Sequence, residues 1–179
     1  QKIILTKNQD DIRLYLNGNI QFSSRDEYRY HESLISYPLA YKHGPIKRVL
    51  LLGAGDGLAV KQLLKYPEIE SIVLVDLDER VVELARTNPY LLTHNEGSLD
   101  NPKLSIVFAD AFTYLMENRQ SFDVIISDLP DPNNIELARL YTKQFYQTLR
   151  SNLNPTGVFV TQSTSPYFAT KAFWSIHDT

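Results

Sequence analysis

Two hydrophobic rhythms run along this chain, and they change over near Lys47. Before that point apolar residues come in short, alternating sets: Ile3-Ile4-Leu5, then Ile12, Leu14 and Leu16, then Ile20 and Phe22. Alternation at a period of two gives a strand one apolar face. Asn17-Gly18 separates two of these sets, and both residue types tolerate the positive φ of a type I′ turn. The pattern predicts a small antiparallel β-domain over residues 1–24. A polar stretch from Ser23 to Glu32 then enters a helix that runs towards Pro38, so that connector and helix fill residues 25–46.

After Lys47 the apolar positions close up into unbroken runs, each succeeded by a helical spacing. Val49–Leu52, Ile72–Val75, Leu104–Phe108, Val124–Ile126 and Val158–Val160 read as strands. Leu58–Tyr66, Glu79–Thr87, Phe112–Asn118, Tyr141–Asn152 and Ala169–Ile176 read as helices. Runs with no polar face are strands covered on both sides, which is the mark of a parallel sheet between helix layers. Residues 47–179 are therefore expected to be an α/β domain. Phe173-Trp174 on the last helix needs more structure to cover it, and the chain is expected to be a piece of a longer protein at both ends.

Composition narrows the function classes. The 179 residues are 43% apolar and 22% charged, a globular balance that argues against disorder. A net charge of −3 offers no basic surplus for nucleic acid or an anionic membrane. With no cysteine there is neither disulfide, thiolate metal site nor thiol nucleophile, which fits the cytoplasm. No apolar stretch approaches the ~20 residues of a bilayer span, and no signal peptide opens the chain. No second histidine stands at metal-ligand spacing, so no metal is expected.

The candidate chemistry lies just past the end of each strand, because an open parallel sheet binds its ligand at the carboxyl ends of its strands. Gly53-Ala54-Gly55-Asp56-Gly57 comes after the first; Asp76 ends the second; Asp110 comes after the third; Asp128 and Asp131 after the fourth; Gln162-Ser163 after the fifth. Five carboxylates on one rim repel each other, and a cationic ligand is the expected counter-charge. A dinucleotide fingerprint would require glycine where Leu58 stands, and Asp56 would repel a phosphate. The same carboxylate welcomes an ammonium or a sulfonium, or else caps the next helix. Asp76, 19 residues beyond Gly57, suits a ribose diol or the start of the next helix. Asp110 suits an adenine amino group or the cap of the helix at Ala111. In Asp128-Leu129-Pro130-Asp131-Pro132, two carboxylates on a proline-stiffened loop suit holding and deprotonating an amine, or a polar turn.

Taken together, Leu14–Gln21, Arg25–Glu32, Gly53–Gly57 and the Asp128–Pro132 loop resemble the signature of the spermidine synthases, the polyamine aminopropyltransferases. The resemblance implies a small β-domain leading into a Rossmann-like methyltransferase-type domain. It implies transfer of an aminopropyl group from decarboxylated S-adenosylmethionine, a co-substrate, to putrescine or a similar small-molecule amine, leaving methylthioadenosine. By position Asp128 resembles the catalytic base, and Tyr30, Asp56 and Asp131 the residues around the amine. Gln1, His31, Gly53, Gly55, Asp56, Gly57, Asp76, Asp110 and Ala111 resemble the co-substrate site. A homodimer or larger assembly is likewise implied.

Three departures stand out. Leu129-Pro130 replaces two small hydroxyl residues, a variant that resembles a branch whose members carry membrane-spanning segments before the synthase domain. That branch implies a parent protein in the cell membrane with this domain on the cytoplasmic side. Asp76 stands where the family has glutamate, and the family continues past residue 179 with more strands. Two rival readings share the sheet and the glycine loop: an S-adenosylmethionine-dependent small-molecule methyltransferase, and a non-catalytic polyamine- or nucleoside-binding domain.

Overall fold

The structure, a computed structural model, describes residues 2–132 and 134–179. Strands β1 (Ile3–Asn8), β2 (Asp11–Leu16) and β3 (Asn19–Ser23) form an antiparallel sheet in that order. Asn17 and Gly18 turn the second hairpin at φ of 52° and 88°, the left-handed geometry expected of the pair. Helix α1 (Glu27–Tyr41) comes next and carries on past Pro38 rather than stopping there. Burial of Leu34, Ile35 and Leu39 along one side outweighs the single hydrogen bond that proline cannot donate.

The second sheet is built from β4 (Arg48–Gly53), β5 (Ser71–Asp76), β6 (Leu104–Phe108), β7 (Phe122–Asp128) and β8 (Leu153–Thr161). All its pairings are parallel, in the spatial order β6-β5-β4-β7-β8. Between the strands lie α2 (Leu58–Leu63), α3 (Glu79–Thr87), α4 (Pro89–Asn95), α5 (Ala111–Glu117), α6 (Ile135–Ala138) and α7 (Lys143–Ser151); α8 (Thr170–His177) comes last. The α/β class and the five strands are as the sequence predicts. Helix α2 is shorter than expected, because Tyr66 precedes Pro67 and is held out of helical geometry. Helices α4 and α6 are additions to the expected elements; Asn88 caps the first, with Pro89 in its opening turn.

Each buried strand feeds two cores. Val49 and Leu51 of β4, with Val124 and Ile126 of β7, face α1 and α2, while Leu50, Leu52 and Ile125 face Leu115, Phe145 and Leu149 on the other side. Leu14 and Phe22 of the small sheet join the first of these clusters. The chain leaves β4 for β5 and β6 on one side and returns to β7 and β8 on the other. The crevice belonging to such a reversal opens between the carboxyl ends of β4 and β7, where Gly53 is paired with Asp128.

Candidate functional site

The glycine loop after β4 is shaped by its neighbours on both sides. Gly53 has φ 83°, and a Cβ there would collide with the backbone carbonyl of Asp128, so only glycine lets β4 and β7 close together at this level. A Cβ on Gly55 would come within 2.5 Å of Asp76 Oδ2. The loop thus runs in a slot between the Asp128 backbone carbonyl and the Asp76 carboxylate, and Ala54 is held at φ 69°, a strained geometry for alanine.

Three of the five expected aspartates gather here. Asp56 Oδ1 accepts the Leu58 N–H at 3.0 Å, and its backbone carbonyl accepts the Asn95 side-chain amide at 3.0 Å. Asp76 accepts the Gly55 N–H and the Asp78 N–H, each at 3.0 Å, while Asp78 itself caps α3. Asp128 accepts the Tyr30 hydroxyl. Burial pushes the Asp56 carboxyl up to about 6, with the charges of Asp128 and Asp76 adding to the rise and His31 and the Leu58 N–H opposing it. Burial likewise raises Asp76 against its backbone amides, and Asp128 against His31 and Tyr30. The Tyr30 phenol is pushed strongly up by burial and by the charge of Asp128, so it stays a donor.

His31 is buried at 2% exposure on α1, with Nδ1 2.9 Å from Glu27 Oε2 and 3.0 Å from the Glu27 carbonyl. Burial works against its charge, but Glu27, Asp56 and Asp128 together win and raise it above the ordinary histidine value. A cavity of about 360 Å³ opens between β3 and α1, with Gln21, Phe22, Glu27, Tyr30 and His31 in its lining.

The other two aspartates already have partners. Asp110 caps α5 through the Thr113 N–H at 3.0 Å and forms an ion pair with Arg139, so its carboxylate already has a cation. Ala111 is buried beneath it at the start of α5. Asp131 is exposed and accepts the Gln162 side-chain amide at 3.1 Å. Of the five carboxylates expected along one rim, three cluster with His31 among them, and two have partners of their own. Gln1 lies outside the described residues.

Several supporting residues left no mark in the spacing. Tyr141 donates between the carbonyls of Leu129 and Pro130, at 3.1 Å to each, and Gln162 donates to the Leu129 carbonyl at 2.5 Å. These contacts fix the loop between Asp128 and Asp131 from the side of β8. Gln162 was readable as a strand-end residue; Tyr141, Asn95 and Glu27 were not. Among the described residues, no three His, Asp or Glu side chains form a group able to hold a metal ion, and no helix is long and apolar enough to cross a membrane.

Such a site is negative, recessed and supplied with proton acceptors whose affinity has been raised. It can hold a cation, orient a polar nucleoside edge through Asp76, and take a proton at Asp128.

The family model described as the spermine/spermidine synthase domain matches residues 27–179. A polyamine aminopropyltransferase of Oceanobacillus iheyensis is 49% identical over the whole of this chain, which covers 35% of that protein. One from Leptospira interrogans is also 49% identical over the whole chain, here 36% of the relative. A crystal structure of spermidine synthase in complex with the transition state analogue AdoDATO superimposes with a TM-score of 0.90 at 32% identity, across 98% of this chain and 59% of that one. The Thermotoga maritima spermidine synthase gives 0.87 at 33% identity, across 98% and 58%. The chain thus spans about a third of the length of the curated relatives it matches.

Proposed function

The chain belongs to the spermine/spermidine synthase domain family, and from that membership and the geometry of the rim we propose that it is the catalytic part of a polyamine aminopropyltransferase. The donor is decarboxylated S-adenosylmethionine and the acceptor putrescine or a related amine. The observation that carries this reading is the cluster of Asp56, Asp76 and Asp128 around the glycine loop, with carboxyl groups all raised by burial. Such a cluster favours a ligand with positive charge at more than one point, and the decarboxylated donor bears a sulfonium and an ammonium and no carboxylate.

In the proposed reaction Asp76 accepts from the ribose hydroxyls and Asp56 faces the ammonium of the aminopropyl arm. Asp110 and Ala111 lie on the adenine side, which requires the amino group of the base to share Asp110 with Arg139. Gly53, Gly55 and Gly57 give the loop its close approach. Tyr30 and Asp131 border the acceptor amine, and His31 the donor. Asp128 takes a proton from the acceptor ammonium; the freed lone pair attacks the aminopropyl carbon beside sulfur. An N–C bond forms as the C–S bond breaks, and its electron pair returns to sulfur, leaving a neutral thioether. Positioning of the two reactants supplies on the order of 7–11 kcal/mol in well-oriented cases of this kind.

In this reading residues 47–179 hold the nucleoside, and residues 1–24 with the connector 25–46 wall the aminopropyl arm and the acceptor amine. The longer protein is proposed to be a homodimer or larger and to be held at a membrane with this domain in the cytoplasm. The second point rests on the Leu129-Pro130 variant of the loop.

The deciding experiment gives the full-length protein putrescine and each of two donors, with and without the carboxylate. Methylthioadenosine and a lengthened amine from the decarboxylated donor are expected. Methyl transfer from the carboxylated donor would replace this reading with a methyltransferase, and binding without product would leave a sensor domain.

A further inference from the structure

Glu27 has no part in the reaction as drawn, yet it is buried at 8% exposure one helical turn before His31. Its two oxygens are both engaged: Oε2 meets His31 Nδ1 at 2.9 Å, and Oε1 meets Lys61 Nζ at 3.5 Å. Lys61 is anchored in turn on the His94 carbonyl at 2.6 Å. His31 Nδ1 faces two acceptors, the carboxylate and the carbonyl of Glu27, so it carries hydrogen in either charge state. Neutral imidazole would then keep a bare lone pair on its other nitrogen while Asp56 and Asp128 act on the ring. A second proton removes that conflict.

The charges alternate from α2 towards the rim: Lys61 positive, Glu27 negative, His31 positive, then Asp56 and Asp128 negative. Each buried charge has an opposite neighbour, the condition under which such a network is tolerated at all. The groups that act on His31 come from every side: Glu27 and Tyr30 from α1, Asp56 from the glycine loop and Asp128 from the end of β7, with Lys61 behind Glu27.

We propose that Glu27 is a positioning residue that holds His31 as an imidazolium between Asp56 and Asp128, so that the site carries its own counter-charge before substrate arrives. This rests on the reading of Asp128 as proton acceptor. The imidazolium keeps Asp128 ionised at neutral pH, and the arriving amine meets a base already deprotonated. It also limits the repulsion between the two aspartates while the pocket is empty. Glu27 touches no reacting atom; it acts through His31 alone.

The test uses the full-length protein. In Glu27→Gln the acid limb of the kcat/KM profile is expected to move up by about one pH unit, since loss of a close opposite charge lowers a histidine by ~1–3 units. The His31 midpoint, tracked by NMR on ¹³C-labelled histidine, falls with it. Glu27→Gln added to His31→Gln moves the acid limb no further than His31→Gln alone, because the two act as one unit. Glu27→Asp, which keeps the charge, returns part of the shift. An activity loss in Glu27→Gln with both the acid limb and the His31 midpoint unmoved would assign Glu27 to the scaffold and overturn the proposal. Should that variant fail to fold, a His31 midpoint at or below the ordinary ~6.5 in the unaltered protein overturns it equally. The histidine titration needs no turnover. Absence of aminopropyl transfer beside a raised midpoint that drops in Glu27→Gln refutes the enzymatic reading and upholds the Glu27–His31 assignment.

Discussion

Strand β7 carries an aspartate near each end, and the two have opposite fates. Near its start, Asp123 Oδ2 accepts the backbone N–H groups of Lys47 and Arg48 at 2.8 and 3.0 Å, and Oδ1 accepts the Asn154 amide at 2.7 Å. Burial opposes its ionisation, but these three donors outweigh burial and hold the carboxyl below its ordinary value. At its far end, Asp128 has the Tyr30 hydroxyl and the field of His31, and burial wins, raising the carboxyl. The same side chain on the same strand is a rivet at one end and, in the proposed reaction, the proton acceptor at the other. The difference lies in how many donors the surrounding backbone turns towards it. At the amino end the neighbouring segments present N–H groups; at the carboxyl end the strands present carbonyls and leave the charge to a ligand.

The largest effect that can sharpen this contrast is on turnover. Asp128→Asn keeps the shape and the contact with Tyr30 but cannot take a proton. General-base removal costs about 10²–10⁴ in rate, so kcat is expected to fall by that factor while donor affinity changes little. Equal loss of donor binding and of turnover would make Asp128 a second Asp123, a residue of the fold. At the other end of the strand the expectation reverses. Asp123→Ala strands three donors, of which two are backbone amides at the sheet's lower edge, and should lower unfolding free energy by about 1–2 kcal/mol. A shifted urea midpoint with unchanged slope and a kcat within about twofold of the parent is the expected record.

How much of this was legible depended on whether the signal was local. Strands β4 to β8 show in the sequence because two-sided burial forces unbroken apolar runs, and the Asn17-Gly18 hairpin shows because few residues accept its φ. Asp56, Asp76 and Asp128 stand out because strand ends mark the ligand edge of any parallel sheet. Their neighbours Asp110 and Asp131 met the same rule, yet rotation of a side chain towards Arg139 or Gln162 is decided by tertiary contacts that no spacing encodes. Asn95 reaches the Asp56 carbonyl from 39 residues away, and Lys61 reaches Glu27 from 34. Helices α4 and α6 escape the pattern for a related reason: both are short and draw little periodicity from their few turns.

The smallest effect is the most direct probe of why the rim is built against its own stability. Asp56 ionises at about 6 in the folded chain, above the ordinary 3.8, so the folded state holds that proton more tightly than the unfolded state does. Stability from this group is therefore greatest at low pH, declines as pH rises from about 4, and levels off above about 6. Asp56→Asn has no charge to desolvate. It is expected to exceed the parent by on the order of 1 kcal/mol at pH 7.5, with the advantage fading as pH falls from about 6 and gone by about pH 4. The same substitution should weaken binding of the sulfonium donor, since the lost charge is the one proposed to face its ammonium. Asp123→Asn runs the other way, because its lowered carboxyl contributes stability above about pH 4 that is lost as pH falls. Opposite slopes in thermal melts, for Asp56→Asn between about pH 4 and 6 and for Asp123→Asn below about pH 4, are what a functional rim and a structural edge require. Parallel slopes would mean that Asp56, too, is held by the fold for the fold's sake.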